Sequence, residues 1–127
     1  QNRYQNHEGP LSRSLKSNEI KRLSDNIFST YTHLQRLFLQ NNSIQTISSQ
    51  AFSGLYKLER LFLSQNSISS LSPGVFSDLR NLWWLVLDHN PLNSISQDTF
   101  TGLTSLMFLS PRTQWAPSFL NGRRLEP

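Results

Sequence analysis

The apolar and polar positions of this chain follow a pattern that returns every 24 residues through its middle. Leucine stands at the same place in four successive segments, at Leu34, Leu58, Leu82 and Leu106. The first three segments have the frame LxxLxLxxNxL and continue into a phenylalanine and a further leucine. This frame and this period are the signature of leucine-rich repeats. We therefore predict an α/β solenoid of leucine-rich repeats with about 24 residues per repeat.

Within each repeat, inward leucines alternate with outward residues, as in a short strand that has one buried face. Stacked copies predict a short parallel sheet on the concave face. The second half of each repeat contains Phe52 or its equivalents and, in one case, the turn Pro73-Gly74, so we expect irregular or helical convex segments. The frame's asparagines are expected to satisfy the backbone of adjacent turns, which gives a structural ladder of Asn18, Asn42, Asn66 and Asn90.

The frame fits only part of the chain. Upstream of Leu15 it fails, because Pro10 and Arg13 fall where inward leucines belong, and downstream Pro111 falls on a buried leucine position. A proline cannot donate to a sheet and ends the strand. The alternative to a disordered end is that Trp115, Phe119 and Leu120 fold back over the last repeat and cap it. We expect a polar disordered arm (1–14), repeats (15–109, divided into a partial 15–33, then 34–57, 58–81, 82–105 and a truncated 106–109) and an unrelated, disordered tail (110–127).

Outward strand positions are the place where such folds carry function, because the core does not need them. Here they hold aromatic and arginine side chains, which dominate protein interfaces. Two interpretations stay open: a contact surface for a protein or peptide, or stacking of the rings along the sheet with arginine over them. The ligand-contact candidates on the predicted concave face are Arg36, Phe38, Arg60, Phe62, Trp84, Val86, Asp88 and His89.

Composition and motifs argue against other classes of protein. Twelve Lys and Arg against eight Asp and Glu give a net charge of +4 without a basic stripe, so we expect no nucleic-acid partner. The histidines His7, His33 and His89 lack metal-ligand spacing, and no phosphate loop or nucleophile motif is present. We therefore expect no enzyme, no metal and no cofactor. No segment has the roughly 20 apolar residues of a membrane span.

Two features of the sequence give opposing indications of the cellular compartment. Cysteine is absent, which favours a reducing compartment and a cytosolic repeat scaffold. The triplet Asn41-Asn42-Ser43 is an N-glycosylation sequon, which makes Asn41 a glycosylation candidate and favours the secretory route. Glycosylation at Asn41 would exclude the cytosolic alternative.

Three segments carry a more specific similarity: YTHLQRLFLQNNSI, SPGVFSDLRNLWWLVLDHNPL and SISQDTFTGLTSLMFLS. They resemble the early leucine-rich repeats of the relaxin-family peptide receptors, most closely the insulin-like-peptide branch, over about residues 15–109. The resemblance implies a fragment of the ectodomain of a G-protein-coupled receptor, at the extracellular face of the plasma membrane, that binds an insulin/relaxin-like peptide hormone on its concave face. This chain alone would be soluble or secreted.

The same resemblance implies a reduced hormone site. In that family, acidic residues on concave strands meet arginines of the hormone, whereas here only Asp88 matches, Glu59 is less exposed, and Arg36 and Arg60 would repel a basic helix. We therefore expect a truncated form whose hormone binding is weak or absent. The alternative is a free-standing extracellular adhesion or matrix-type protein that binds its partner through the same face.

Overall fold

The structure is a computed structural model, which describes residues 10–93 and 95–111. The strands are short, with two or three residues each. In chain order they are β1 (Ser12–Ser14), β2 (Arg22–Leu23), β3 (Arg36–Phe38), β4 (Thr46–Ile47), β5 (Arg60–Phe62), β6 (Trp84–Val86) and β7 (Phe108–Ser110). A 3₁₀ helix at Gln97–Phe100 is the only helix in this part of the chain.

The strands form two parallel sheets. The larger sheet has the order β1-β3-β5-β6-β7, and β2 pairs with β4 in the smaller one. Leu37, Leu61, Leu85 and Leu109 stand in register across neighbouring strands of the larger sheet. The predicted solenoid with a short parallel sheet is thus confirmed. The segments between the strands consist of turns, the small sheet and the 3₁₀ helix, so helix contributes little.

The core is a continuous apolar column between the turns. The inward leucines are almost fully buried; Leu61, for example, has no exposed surface. On the other side of the core, the ring of Phe52 stacks on Phe28 at 6.1 Å and on Phe76 at 6.0 Å between centroids. Burial of a leucine or phenylalanine side chain contributes about 1.5–3 kcal/mol. Each turn therefore gains stability only through its neighbours, as in other solenoids.

A ladder of asparagine amides joins successive turns. The Asn66 Oδ1 atom accepts hydrogen bonds from the backbone N–H groups of Asn42 and Ile44, both at 3.1 Å. Its Nδ2 atom donates to the carbonyls of Leu39 at 3.1 Å and Leu63 at 3.0 Å. Buried backbone groups that no strand can pair are satisfied in this way. The amides of Asn42 and Asn90 bond in the same manner, and Asn18 donates to carbonyls of its own turn.

The polypeptide leaves the larger sheet through a left-handed residue in each turn. Ser17, Asn41, Gln65 and His89 have φ angles of 61°, 60°, 57° and 61°. Such a backbone costs about 1–2 kcal/mol for a residue with a Cβ atom, and asparagine tolerates it best among side chains of this kind. Asn41 and His89 therefore lie in the turns at the rim of the sheet rather than on its strands.

The first turn differs from the expected disordered arm. Residues Ser12–Ser14 form β1, in which Arg13 stands in register with Leu37. Backbone hydrogen bonds hold this strand, including Leu15 N–H to the Phe38 carbonyl at 2.8 Å. All three residues of β1 are exposed in the described part of the chain, so a charged side chain is tolerated at the inward position. The Arg13 guanidinium lies 5.7 Å from the centre of the Tyr31 ring.

The last turn also extends beyond the expected boundary. Ser110 belongs to β7 and pairs with Val86, so the sheet ends one residue later than the frame suggests. Backbone pairing needs no particular side chain, which is why the loss of the leucine pattern did not mark the end of the strand. Residues 1–9 and 112–127, which include the capping candidates Trp115, Phe119 and Leu120, lie outside the described residues.

Candidate functional site: the concave face of the larger sheet

Outward side chains of the larger sheet form three rows that run across the strands. The first row contains Arg36, Arg60, Trp84 and Phe108, and the second contains Phe38, Phe62, Val86 and Ser110. The third row, just past the strands, contains Gln40, Ser64 and Asp88. All eleven side chains are half-buried. We define this set of three rows as the concave surface.

Aromatic rings cover most of this surface and contact one another. The rings of Phe38 and Phe62 lie parallel with centroids 4.9 Å apart. Phe62 meets Trp84 edge-on at 5.5 Å, and Trp84 lies 6.1 Å from Phe108. Ring stacking along the sheet, one of the two interpretations, is therefore present. It does not bury the rings completely, so apolar area remains open on the surface.

Trp83 joins this cluster although the sequence pattern did not identify it. It precedes β6, and its ring lies 5.8 Å from Trp84 and 5.5 Å from Phe108. The frame assigns its position neither to the core nor to the strand, and the equivalent residues, Gln35 and Glu59, are polar. The one signal in the sequence was the unusual Trp83-Trp84 pair. The inward leucine column cannot require two adjacent indoles, so the pair indicates a role outside the core.

The Arg60 side chain lies over both of these indoles. Its guanidinium carbon is 5.1 Å from the centre of the Trp83 ring and 5.7 Å from that of Trp84. Cation–π contacts of this kind contribute about 0.5–2 kcal/mol, more as the cation loses water. The indoles therefore hold the cation in one place. The neighbouring Arg36 is held differently, because its Nε–H donates to Ser12 Oγ at 2.7 Å.

Four polar atoms of the concave surface are buried without a hydrogen-bond partner. Two are donors, Arg60 Nε and Trp84 Nε1, and two are acceptors, Gln40 Oε1 and Asp88 Oδ1. A buried polar group without a partner costs about 1–3 kcal/mol. These atoms concentrate on one face rather than in the core, so this face has donors and acceptors that water or a ligand can satisfy.

The remaining predicted residues divide between the concave surface and its rim. Asp88 lies two residues beyond β6 and is half-buried on the concave surface, whereas His89 is exposed in the turn that follows. Asn41, the sequon residue, is also exposed, and its Nδ2 atom donates to Ser17 Oγ at 3.1 Å. The structure therefore groups Arg36, Phe38, Arg60, Phe62, Trp84, Val86 and Asp88 on one face and leaves His89 and Asn41 at its rim.

An apolar cleft lies at the C-terminal end of the described solenoid, and its lining, which includes Leu87, Phe100, Leu109 and Pro111, contains no titratable side chain. Within residues 10–93 and 95–111, no three His, Cys, Asp or Glu residues are grouped so as to hold a metal ion. The same residues include no helix with the length and apolar character to cross a bilayer.

Comparison with known proteins identifies the class that this fold and surface define. The family model described as leucine rich repeat matches residues 14–66 and 32–92. These ranges cover more than half of the chain, so the protein belongs to the leucine-rich-repeat family. A comparison with curated proteins finds no match.

Solved structures with a similar fold include two receptors. A crystal structure of a TLR13–ssRNA13 complex is 38% identical with a TM-score of 0.72 and covers 76% of this chain. The glycosylated Toll–Spatzle complex of Drosophila is 28% identical with a TM-score of 0.77 and covers 82% of this chain. This chain spans only 13% and 14% of those two proteins. The similarity therefore concerns a short run of repeats within larger receptors.

Proposed function

We propose that this chain is part of the ligand-binding ectodomain of a cell-surface receptor and binds a protein or peptide through the concave surface. The observation that carries the proposal is the coincidence of half-open aromatic rings, a clamped arginine and unpaired buried polar atoms on one face. Aromatic residues and arginine supply most of the binding energy at protein interfaces. The proposal assigns binding rather than catalysis to this chain, at the extracellular side of the membrane.

Both receptor structures support a ligand-binding role, and they differ in the ligand. One is a complex with RNA and the other with the protein Spatzle. For this chain the protein ligand is favoured, because a phosphate backbone needs several cations along its path, whereas the concave surface contains Asp88 as well as two arginines. The rings of Phe38 and Phe62 also stack on each other, so they offer fewer free faces to bases.

The finer hypothesis is a peptide-hormone receptor of the relaxin family. It rests on the sequence resemblance of residues 15–109, and the comparisons support only the coarser receptor-type assignment. On this hypothesis the chain by itself binds relaxin-type peptides weakly or not at all, because Asp88 is the one acidic residue on its concave rows. Titration of a labelled hormone into the chain tests this point, and tight, saturable binding contradicts it.

The general proposal is tested with a panel of extracellular proteins and peptides that includes insulin/relaxin-like hormones. The chain, its Phe62→Ser variant and its Tyr56→Ser variant are immobilised in parallel. Tyr56 is an exposed aromatic residue, 47% accessible, that lies outside the sheet. We expect a ligand whose binding is lost with Phe62→Ser and kept with Tyr56→Ser, provided circular dichroism shows both variants folded. A ligand that depends on Tyr56 and not on Phe62 places binding elsewhere.

A further inference from the structure

Two arginines stand directly opposite each other on the concave surface. Arg36 of β3 and Arg60 of β5 are partners in the parallel register. Their strands lie about 4.7–4.9 Å apart, and the two side chains lean away from each other, Arg36 toward Ser12 of β1 and Arg60 toward Trp84 of β6. The contacts of these two guanidinium groups are neutral, namely Ser12 Oγ for Arg36 and indole rings for Arg60. In the described part of the chain, no ion pair joins either arginine to a carboxylate.

The local environment makes this uncompensated charge costly. Arg60 Nε is buried without a hydrogen-bond partner, and so is Nε1 of Trp84, the next residue in the same row. The guanidinium has therefore already lost water on its inner edge, while Arg60 as a whole remains half-buried and open to the concave side. An anion that approaches such a group gains more than it would at a fully hydrated surface arginine, because the effective dielectric constant is lower.

We propose that Arg60, with the charge of Arg36 on the neighbouring strand, forms an anion subsite of the concave surface, which receives a carboxylate side chain from an acidic, partly apolar segment of a protein partner. This inference rests on the proposed function and adds the chemistry of the partner. A carboxylate fits because it accepts charge-assisted hydrogen bonds from the open edge of the Arg60 guanidinium and offsets a positive charge that no carboxylate of the described chain pairs. The apolar neighbours of that carboxylate contact Phe38 and Phe62, the next row along the same strands.

The subsite predicts a partner of opposite charge to the one implied by the family resemblance. A basic hormone segment would place its arginines near Arg36 and Arg60, where they repel. An acidic segment is attracted there. A carboxylate bound at the arginine row is also far from Asp88. Asp88 lies four residues beyond that row, which is about 13 Å along a strand.

The experiment uses the full chain and two capped peptides of equal length. One is acetyl-Leu-Glu-Leu-Glu-Leu-amide, and the other has glutamine in place of both glutamates. Titration is followed by the NMR resonances of the Trp83 and Trp84 indole N–H groups and of the Arg60 Nε–H group. We expect saturable shifts with the glutamate peptide and binding about tenfold weaker with the glutamine peptide, since one charge-assisted contact accounts for at least that factor.

A matched pair of variants locates the effect. Arg80 lies over the ring of Tyr56 at 5.2 Å, so it shares the cation–π arrangement of Arg60 but lies outside the concave surface. We expect Arg60→Gln to remove the preference for glutamate and Arg80→Gln to leave it unchanged. Equal binding of both peptides, no binding of either, or a preference that survives Arg60→Gln overturns the subsite.

Two further outcomes separate this inference from the proposed function. A short oligouridine that binds more tightly than the glutamate peptide at the same resonances overturns the assignment to a protein carboxylate. A protein ligand from the extracellular panel that depends on Phe62 but not on Arg60 leaves the binding function in place and removes the anion subsite.

Discussion

Close packing between successive turns makes a strong prediction at Gly102. This residue has φ +95°, and an ideal Cβ atom built on it lies 2.7 Å from Ser77 Cα and 2.8 Å from Ser77 C. These are backbone atoms of the preceding turn, which cannot move aside as the end of a flexible side chain does. Gly54 stands at the equivalent place two turns earlier, with φ +86°, and its added Cβ meets nothing within 4 Å. The two glycines thus share the backbone strain and differ in the space around them.

The expected magnitudes follow from this difference. Alanine in a left-handed conformation costs about 1–2 kcal/mol, a penalty that applies to both Gly54→Ala and Gly102→Ala. Forcing an extra methyl group into a packed site adds about 1–3 kcal/mol, and this term applies only to Gly102→Ala. We therefore expect a loss of about 1–2 kcal/mol for Gly54→Ala and about 2–5 kcal/mol for Gly102→Ala.

Urea denaturation followed by tryptophan fluorescence measures both changes in the free energy of unfolding. Trp83 and Trp84 lie in the same repeat as Gly102, so their emission reports the unfolding of that repeat. Circular dichroism of each variant in the absence of urea confirms that it is folded. If the two substitutions destabilise the chain equally, the close approach between Gly102 and Ser77 does not exist in solution, and the stacking of these turns must be redrawn.

Three more substitutions test the core, the ladder and the left-handed turn. Leu61→Ala should cost about 2–5 kcal/mol, because the side chain is fully buried between two turns; a circular dichroism spectrum and unfolding midpoint like the wild type's would contradict this register. Asn66→Ala should cost about 2–6 kcal/mol, since it leaves two backbone N–H groups unpaired at about 1–3 kcal/mol each, and protection of those amides against hydrogen exchange should fall. Gln65→Gly should instead raise stability by about 1 kcal/mol by relieving the left-handed backbone, and a lower melting temperature would refute it.

Much of the fold follows from the sequence because one rule repeats. The inward leucine column and the frame asparagines fix both the period and the register, so the observed pairing of Leu37, Leu61 and Leu85 agrees with the pattern. The ends are harder to predict. Arg13 of β1 is exposed and replaces a core leucine while its backbone still pairs with β3, and a frame based on leucines overlooks such a strand.

The repeat pattern predicts only part of the candidate site. Outward positions such as Arg60 and Phe62 are found by their place in the frame, because strand alternation determines which side they face. Trp83 lies outside the strand, and its inclusion depends on side-chain packing with Phe108 that no periodicity describes. The left-handed backbone at His89, which takes this residue off the strand, is also not predicted by the repeat pattern. A glycine at this position would have indicated such a backbone, whereas a histidine does not.

The central claim, that the concave surface is the binding face, is tested most directly by hydrogen–deuterium exchange on the chain with and without the first protein ligand found in the extracellular panel. We expect binding to slow exchange in the segments that contain β3, β5 and β6 and the row that follows them, residues 36–40, 60–64 and 84–88. Exchange in the segments outside the larger sheet, residues 48–57 and 72–81, should stay unchanged. Protection confined to those outer segments, with no change in the three strands, would contradict it.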